Sequence, residues 1–247
     1  NCAGCHMSVM ASDDFGAQFF DESKQLKIHD HLFAAANTAI PEMLEMPEWV
    51  NEAKVAFLSG ITRVYIFGLR AEGEIDGTLA APLRPSVPAL VPGQTYLLET
   101  VLRTLRIGHH LTNGTVDSNE LWVDVTMTSG GEVIGRSGGL SDDGTVDPWS
   151  HFSNVYMLDR VGNRIDRRNA QDIFVPLYNN QIPPGAADVV HYRFTVPREV
   201  RDEIVVEVKL RYRKFDTEYM KHVFGPEYHN ELPIVTLASD RLTFPVR

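Results

Sequence analysis

The feature that most constrains the fold is a period-two hydrophobic pattern near the C-terminus. Ile204, Val206, Val208, Leu210 and Tyr212 alternate with Val205, Glu207, Lys209, Arg211 and Arg213. Successive side chains of a strand point to opposite faces, so such a run buries one face and wets the other. Leu121, Val123, Val125 and Met127 alternate in the same way with Trp122, Asp124, Thr126 and Thr128. Gly130-Gly131 then leads into Glu132-Val133-Ile134, which reads as a hairpin. Weaker strands are expected near 95–107, 152–158, 189–196 and 242–246, with a short helix near 217–224. This spacing of short strands and turn residues predicts a mainly β protein, an antiparallel β-sandwich over 94–247.

The N-terminal third is different. Residues 1–40 show little periodicity and many small residues, and read as loop wrapped around something other than their own side chains. Pro41 opens a helical stretch in which Met43, Leu44, Met46, Trp49, Val50, Ala53, Phe57 and Leu58 recur at roughly three- to four-residue spacing, until Ser59-Gly60 stops it. Pro47 is expected to kink or restart that helix. Residues 61–69 look like a strand. Pro82, Pro85, Pro88 and Pro92 make the next stretch an extended linker. The expected division is therefore a loop and helix segment over 1–80, a Pro-rich linker over 81–93 and the β-sandwich over 94–247.

At 247 residues and 43% hydrophobic, the chain can bury a core without disulfide or metal staples. It holds no run of 18 apolar residues, so no membrane-spanning helix is expected. The formal net charge of -10 argues against nucleic acid as a partner. Residues 1–80 carry 12 acids and 5 bases, so the first third is the acidic part. A chain opening on Asn1-Cys2 reads as a fragment or processed product of something longer.

Both cysteines lie in the first five positions, in Cys2-Ala3-Gly4-Cys5-His6. This is C-x-x-C-H, the attachment signature of c-type haem. Two thiols three positions apart reach the two vinyl groups on one porphyrin edge and form thioethers, while the adjacent His offers its imidazole to the iron. Thioredoxin-type C-x-x-C needs a βαβ context, and structural zinc needs further ligands at characteristic spacing. Cys2, Cys5 and His6 are thus expected to bind haem c, with His6 as the proximal iron ligand. For a second axial ligand Met7 is excluded by adjacency to His6, and Met10 is little better placed. Context singles out His31 in the wrapping segment, His109 in the Gly108-His109-His110 turn and His151 after Asp147-Pro148-Trp149. The 24 residues between His6 and His31 can pass round a porphyrin edge at about 3.3 Å each, and His29 satisfies the same arithmetic. Elsewhere, Arg160, Arg164, Arg167 and Arg168 crowd one turn, where they suit carboxylates such as haem propionates or simply a solvated hairpin tip. Ser141–Asp147 offers oxygen ligands for calcium without matching the EF-hand pattern. Signatures of hydrolases and nucleotide-binding loops are missing.

The motif followed by His29-Asp30-His31-Leu32-Phe33 and Ala36-Asn37-Thr38-Ala39-Ile40-Pro41 resembles the last haem segment of bacterial multihaem c-type cytochromes, a family that often carries tetratricopeptide repeats. Those proteins show C-x-x-C-H-M-P, then S/D-H-x-F and a GANT-like stretch; Ser8 here replaces the Pro. Ile107 to Gly114 resembles the family's G-H-x-F-P-T-G turn, with Leu111 and Asn113 departing from it. Asp117 to Trp122 resembles its N-E-x-W strand, and the likeness extends through 162–169. The resemblance implies a bis-His electron-transfer cytochrome with further haems upstream, part of a longer multihaem wire or filament. By position it matches His31 to the H of H-x-F and His109 to the H of the G-H turn. His31 is accordingly the expected sixth ligand, with His29, His109 and His151 as alternatives.

Three functions follow: a one-electron carrier, with no enzyme chemistry of its own; an oxidoreductase with an open iron position; or an assembly module whose β-domain docks copies or partners while the haem acts as a staple. Expected partners are other haem-bearing segments or redox proteins, with self-assembly through edge strands. Covalent haem attachment and the resemblance together place the protein in the periplasm or outside the cell.

Overall fold

The computed structural model describes residues 2–247 and divides after Leu58, with the second compact unit running Ser59–Arg247. In the first unit, helix α1 (Cys2–His6) leads into strands β1 (Val9–Ala11), β2 (Gln18–Phe19) and β3 (Leu26–His29), then helices α2 (Ala39–Met43) and α3 (Glu48–Leu58). The three strands form one antiparallel sheet in the order β1-β3-β2, with Val9 opposite His29 and Gln18 opposite Lys27. Strands of two to four residues are too short to display a period, which is why this segment reads as loop in the sequence. The helical stretch splits in two around Pro47, as its missing N–H requires. Glu45 turns out of the helix at a φ of 49° just before it.

The second unit contains β4 (Thr62–Ala71), β5 (Leu79–Ala80), β6 (Thr95–Thr104), β7 (Glu120–Ser129), β8 (Glu132–Ser137), β9 (Val155–Leu158), β10 (Val175–Asn179), β11 (Ala187–Thr195), β12 (Ile204–Arg213), helix α4 (Thr217–Phe224) and β13 (Ile234–Phe244). Two four-stranded antiparallel sheets, ordered β11-β6-β4-β5 and β13-β12-β7-β8, make the sandwich, and β9 and β10 form a separate two-stranded ribbon. The predicted alternation is realised on β12, whereas β7 is buried on both faces over 120–125, with Trp122 and Asp124 also inside. Ile204, Val206, Val208, Leu210 and Tyr212 are buried on β12, and Leu121, Val123, Val125 and Met127 on β7. Val64, Ile66, Leu98, Leu102, Leu237, Leu242 and Phe244 complete the core. Gly130 and Gly131, at φ of 57° and 86°, close the β7–β8 hairpin with Ser129 opposite Glu132. Such two-residue turns need positive φ at both positions, which glycine supplies without strain. Helix α4 is capped by Asp216, whose carboxylate accepts from the Tyr219 N–H at 2.7 Å.

The expected linker over 81–93 is not a boundary. Strand β4, upstream of it, lies between β5 and β6 in one sheet, so the sandwich starts at Ser59 rather than at 94. The prolines do keep the segment extended, but it is stitched to the sandwich. Leu83 and Leu90 are buried, Leu83 N–H donates to Phe67 O at 3.0 Å and Leu90 N–H to Pro245 O at 2.8 Å. Arg84 forks onto both carboxylate oxygens of Asp240.

A fully buried guanidinium ties the loops at one end of the sandwich. Arg213 donates through Nε to Glu120 at 2.9 Å and through a terminal nitrogen to the same carboxylate and to the carbonyl of Gly144 at 2.7 Å. A second terminal nitrogen reaches the carbonyl of Asn230 at 3.3 Å. Burial pushes Glu120 up to about 7 against the pull of Arg213, and Asp216 up to about 6 against the bond from Tyr219 N–H.

Three outcomes follow. Arg213→Ala strands the Glu120 carboxylate, and chemical denaturation should show a loss of about 3–5 kcal/mol. Both folded carboxyl values lie above the ordinary ones of 4.5 and 3.8, so the folded state holds more protons between them. Their contribution to stability is therefore present at low pH and falls as pH rises from about 4 to about 7; Glu120→Gln should flatten the urea-midpoint profile over that window. In limited expression, 59–247 should remain folded by circular dichroism, whereas 94–247 should not, because β6 loses its β4 neighbour.

Candidate functional site

Helix α1 is one turn long and sets out the attachment motif. Residues three and four apart share a helix face, so Cys2, Cys5 and His6 project together from it. Both thiols are exposed and free.

The imidazole of His6 is held from behind. Its Nδ1 lies 2.6 Å from the carbonyl oxygen of Ala34. A carbonyl can only accept, so Nδ1 carries the proton and Nε2 keeps the lone pair. This is the tautomer and orientation a metal-ligating His requires, with the remote ring nitrogen anchored on a backbone acceptor. Phe33 stacks on the ring at 5.1 Å between centroids and 8° between planes, and Phe57 lies tilted at 5.2 Å. Phe33 makes this contact with a φ of 49°, an unfavourable region for a bulky side chain, so the turn that carries it is held in place by its surroundings.

His29, at the end of β3, is held in the same manner. Its Nδ1 lies 2.7 Å from Met7 O, and Phe20 meets its ring edge-on at 4.9 Å. His31 is exposed and sits three residues before Ala34. In the second unit, His109 Nδ1 donates to His110 O at 2.9 Å. His151 Nε2 lies 2.9 Å from Asp188 Oδ2, and this bond is the main reason that the Asp188 carboxyl is held below its ordinary value. The structure thus gathers Cys2, Cys5 and His6 on one face, keeps His29 and His31 in the same unit, and commits the Nε2 of His151 to a carboxylate.

The first unit leaves much of its apolar surface uncovered. Phe15, Phe19, Phe20, Leu32, Leu44 and Trp49 are all exposed, Phe15 completely, while few apolar side chains, Ala39, Val50 and Leu58 among them, are buried. A porphyrin would cover such surface. Among the described residues no group of three or more His, Cys, Asp or Glu side chains converges as a bare metal ion would need. Haem iron makes a lighter demand, since the porphyrin supplies its four equatorial nitrogens and the protein only axial ligands.

Other expected sites are differently disposed. The Asp143 carboxylate in the candidate calcium loop accepts Lys221 Nζ at 2.6 Å and the Ser141 hydroxyl at 2.6 Å, so an ammonium already neutralises it. Of the crowded arginines, Arg160 lies over Phe174 at 4.7 Å and Arg164 over Tyr156 at 4.8 Å. They stack on the β9–β10 ribbon. Sequence reasoning missed Phe57 and the Ala34 carbonyl; a backbone acceptor leaves no residue-type signal.

No family model and no curated protein sequence matches the chain. Among solved structures it is similar to a penta-haem cytochrome c552 from Thermochromatium tepidum, at 13% identity and a TM-score of 0.49, over 77% of this chain and 41% of that one. It is also similar to the sporulation control protein Spo0M from Bacillus subtilis, at 11% identity and a TM-score of 0.31, over 76% of this chain and 50% of that one. A third likeness is to the alkylpurine DNA glycosylase AlkC of Pseudomonas fluorescens, at 10% identity and a TM-score of 0.26, over 80% and 33%. The chain spans half or less of the length of each. Likenesses so distant assign no function. No helix among the described residues is long and apolar enough to cross a membrane.

The tautomer is directly measurable. Nitrogen-15 shifts of the neutral His6 ring should show Nδ1 protonated and Nε2 not, and Phe33→Ala should broaden that signal by loosening the ring.

Proposed function

We propose that the first unit binds one haem c covalently through Cys2 and Cys5, with His6 as proximal ligand, and that the protein is an electron-transfer cytochrome. The observation that carries this reading is the anchored His6 imidazole, Nδ1 fixed on Ala34 O, on the same helical face as two exposed thiols. When bound, the haem supplies a one-electron couple. The chain's own residues do the rest. Cys2 and Cys5 would hold the porphyrin edge, and His6 would present Nε2 in an orientation set by Ala34 and Phe33. A hydrogen bond at Nδ1 makes the imidazole a stronger donor, which is one of the protein's means of setting a reduction potential. The exposed Phe, Leu and Trp side chains of the unit offer apolar surface that a bound macrocycle would cover. The resemblance to multihaem c-type cytochromes supports this reading, and with it an exported location and other haem-bearing segments or redox proteins as partners.

The test is denaturing electrophoresis with haem staining of material made in a host that matures c-type cytochromes. Wild type should stain at the mass of the chain, Cys2→Ser should lose much of the stain, and Cys2→Ser with Cys5→Ser should lose all of it. An unstained wild-type band would overturn the proposal.

A further inference from the structure

We propose that Asn113 is a site of spontaneous covalent modification, where attack by the Gly114 backbone nitrogen converts the side-chain amide to a carboxylate. The inference is independent of haem and starts from three peptide bonds that share one chemistry.

A side-chain carbonyl followed by glycine is prone to cyclise. The next backbone nitrogen meets it in a five-membered ring, and glycine has no side chain to obstruct the approach. This chain has three such bonds, Asp76-Gly77, Asn113-Gly114 and Asp143-Gly144. The fold treats them differently. The Gly77 N–H donates to the Glu74 carbonyl at 3.1 Å, and a Cβ on Gly77 would overlap the carbonyl of Ala71, so that peptide is wedged against β4. The Gly144 N–H donates to Ser141 O at 2.9 Å, and the Gly144 carbonyl accepts from both Arg213 and Thr217. The Asp143 carboxylate accepts from Lys221 and Ser141, which hold it below its ordinary range and keep it ionised. An anion attracts a nucleophile poorly.

At Asn113 these restraints are missing. Both residues are exposed, and the space beside Gly114 is open. Among the described residues the Gly114 N–H donates to the Asn113 side-chain Oδ1 alone, at 2.8 Å. The nucleophilic nitrogen therefore already rests against the carbonyl group it must attack. The flanks are firm. The Thr112 hydroxyl donates to Asn119 Oδ1 at 3.0 Å, the Thr112 carbonyl accepts from Gln181, and Asn119 Nδ2 donates to Thr115 O at 2.9 Å. The turn is held in place while its tip stands in water.

In the reaction the Gly114 nitrogen loses its proton to solvent hydroxide and bonds to Asn113 Cγ. The Cγ–Nδ2 bond breaks, and the departing nitrogen takes a proton from water and leaves as ammonia. Water then opens the succinimide at either carbonyl, giving aspartate or isoaspartate at this position. In sum one water is consumed and one ammonia released, with no change of oxidation state. A neutral amide becomes a carboxylate close in sequence to Thr115, whose hydroxyl accepts from Lys214 Nζ at 3.0 Å. The isoaspartate product also adds one carbon to the backbone between the pinned Thr112 and Thr115.

The test ages the full chain in mildly alkaline buffer, folded and unfolded in urea, and follows tryptic peptides by fragment mass and by enzymatic labelling of isoaspartate. In the peptide 107–136 the folded chain should gain about 1 Da at Asn113, less than tenfold more slowly than the unfolded chain. Asn113→Gln, which can close only a larger ring, should gain it at least tenfold more slowly than wild type, with an unchanged circular dichroism spectrum. Isoaspartate at Asp76 and Asp143 should form at least tenfold more slowly in the folded chain than in the unfolded one, because their amides must first be released. The proposal is overturned if folding slows conversion at Asn113 tenfold or more, if Asn113→Gln converts at the wild-type rate, or if Asp76 or Asp143 keeps pace with Asn113 in the folded chain.

Discussion

The first unit cannot be explained by burial of its own apolar side chains. A folded segment gains most of its stability from apolar surface removed from water. Here Phe15, Phe19, Phe20, Leu32, Leu44 and Trp49 stay in contact with solvent, while the sheet that includes Phe19 consists of strands two to four residues long. Strands of that length do not support a sheet unaided. The proposed haem would supply apolar surface of the kind the unit lacks, beside a small helix with two thiols and an anchored His6.

The second unit is physically self-sufficient in a way the first is not. Its two sheets bury continuous apolar faces, and its polar interior is organised around Arg213, whose hydrogen bonds reach Glu120, Gly144 and Asn230. It holds no cysteine, and its candidate ligand His151 is already bound to Asp188. Its ribbon of β9 and β10 carries an exposed apolar edge, Phe174 and Leu177 among it, beside stacked arginines. Covalent attachment through cysteine, as proposed, would therefore fall in the first unit.

Much of the fold was legible in the sequence wherever a strand was long enough to show a period. β7 and β12 each alternate over ten residues, and the Gly130-Gly131 turn and the helix at 217–224 were equally plain. β13 was read only at its last residues, because Ser239-Asp240-Arg241 interrupts its apolar pattern. The division between units was misread because four prolines look like a linker, whereas Leu83 and Leu90 between them are buried in the sandwich. At the site, Cys2, Cys5 and His6 are legible by spacing alone. What sequence could not supply is how the rings are held: His29 and His31 satisfy the same chain-length arithmetic, and only the structure sets the His6 ring on Ala34 O and the His29 ring on Met7 O.

The central claim is that a haem completes the first unit, and amide hydrogen exchange tests it most directly. Compared between haem-loaded and haem-free chain, protection of the β1–β3 amides and of α3 should be low without haem and rise by at least tenfold with it, while β7 and β12 remain equally protected in both. Equal protection of the first unit in both forms would contradict the account.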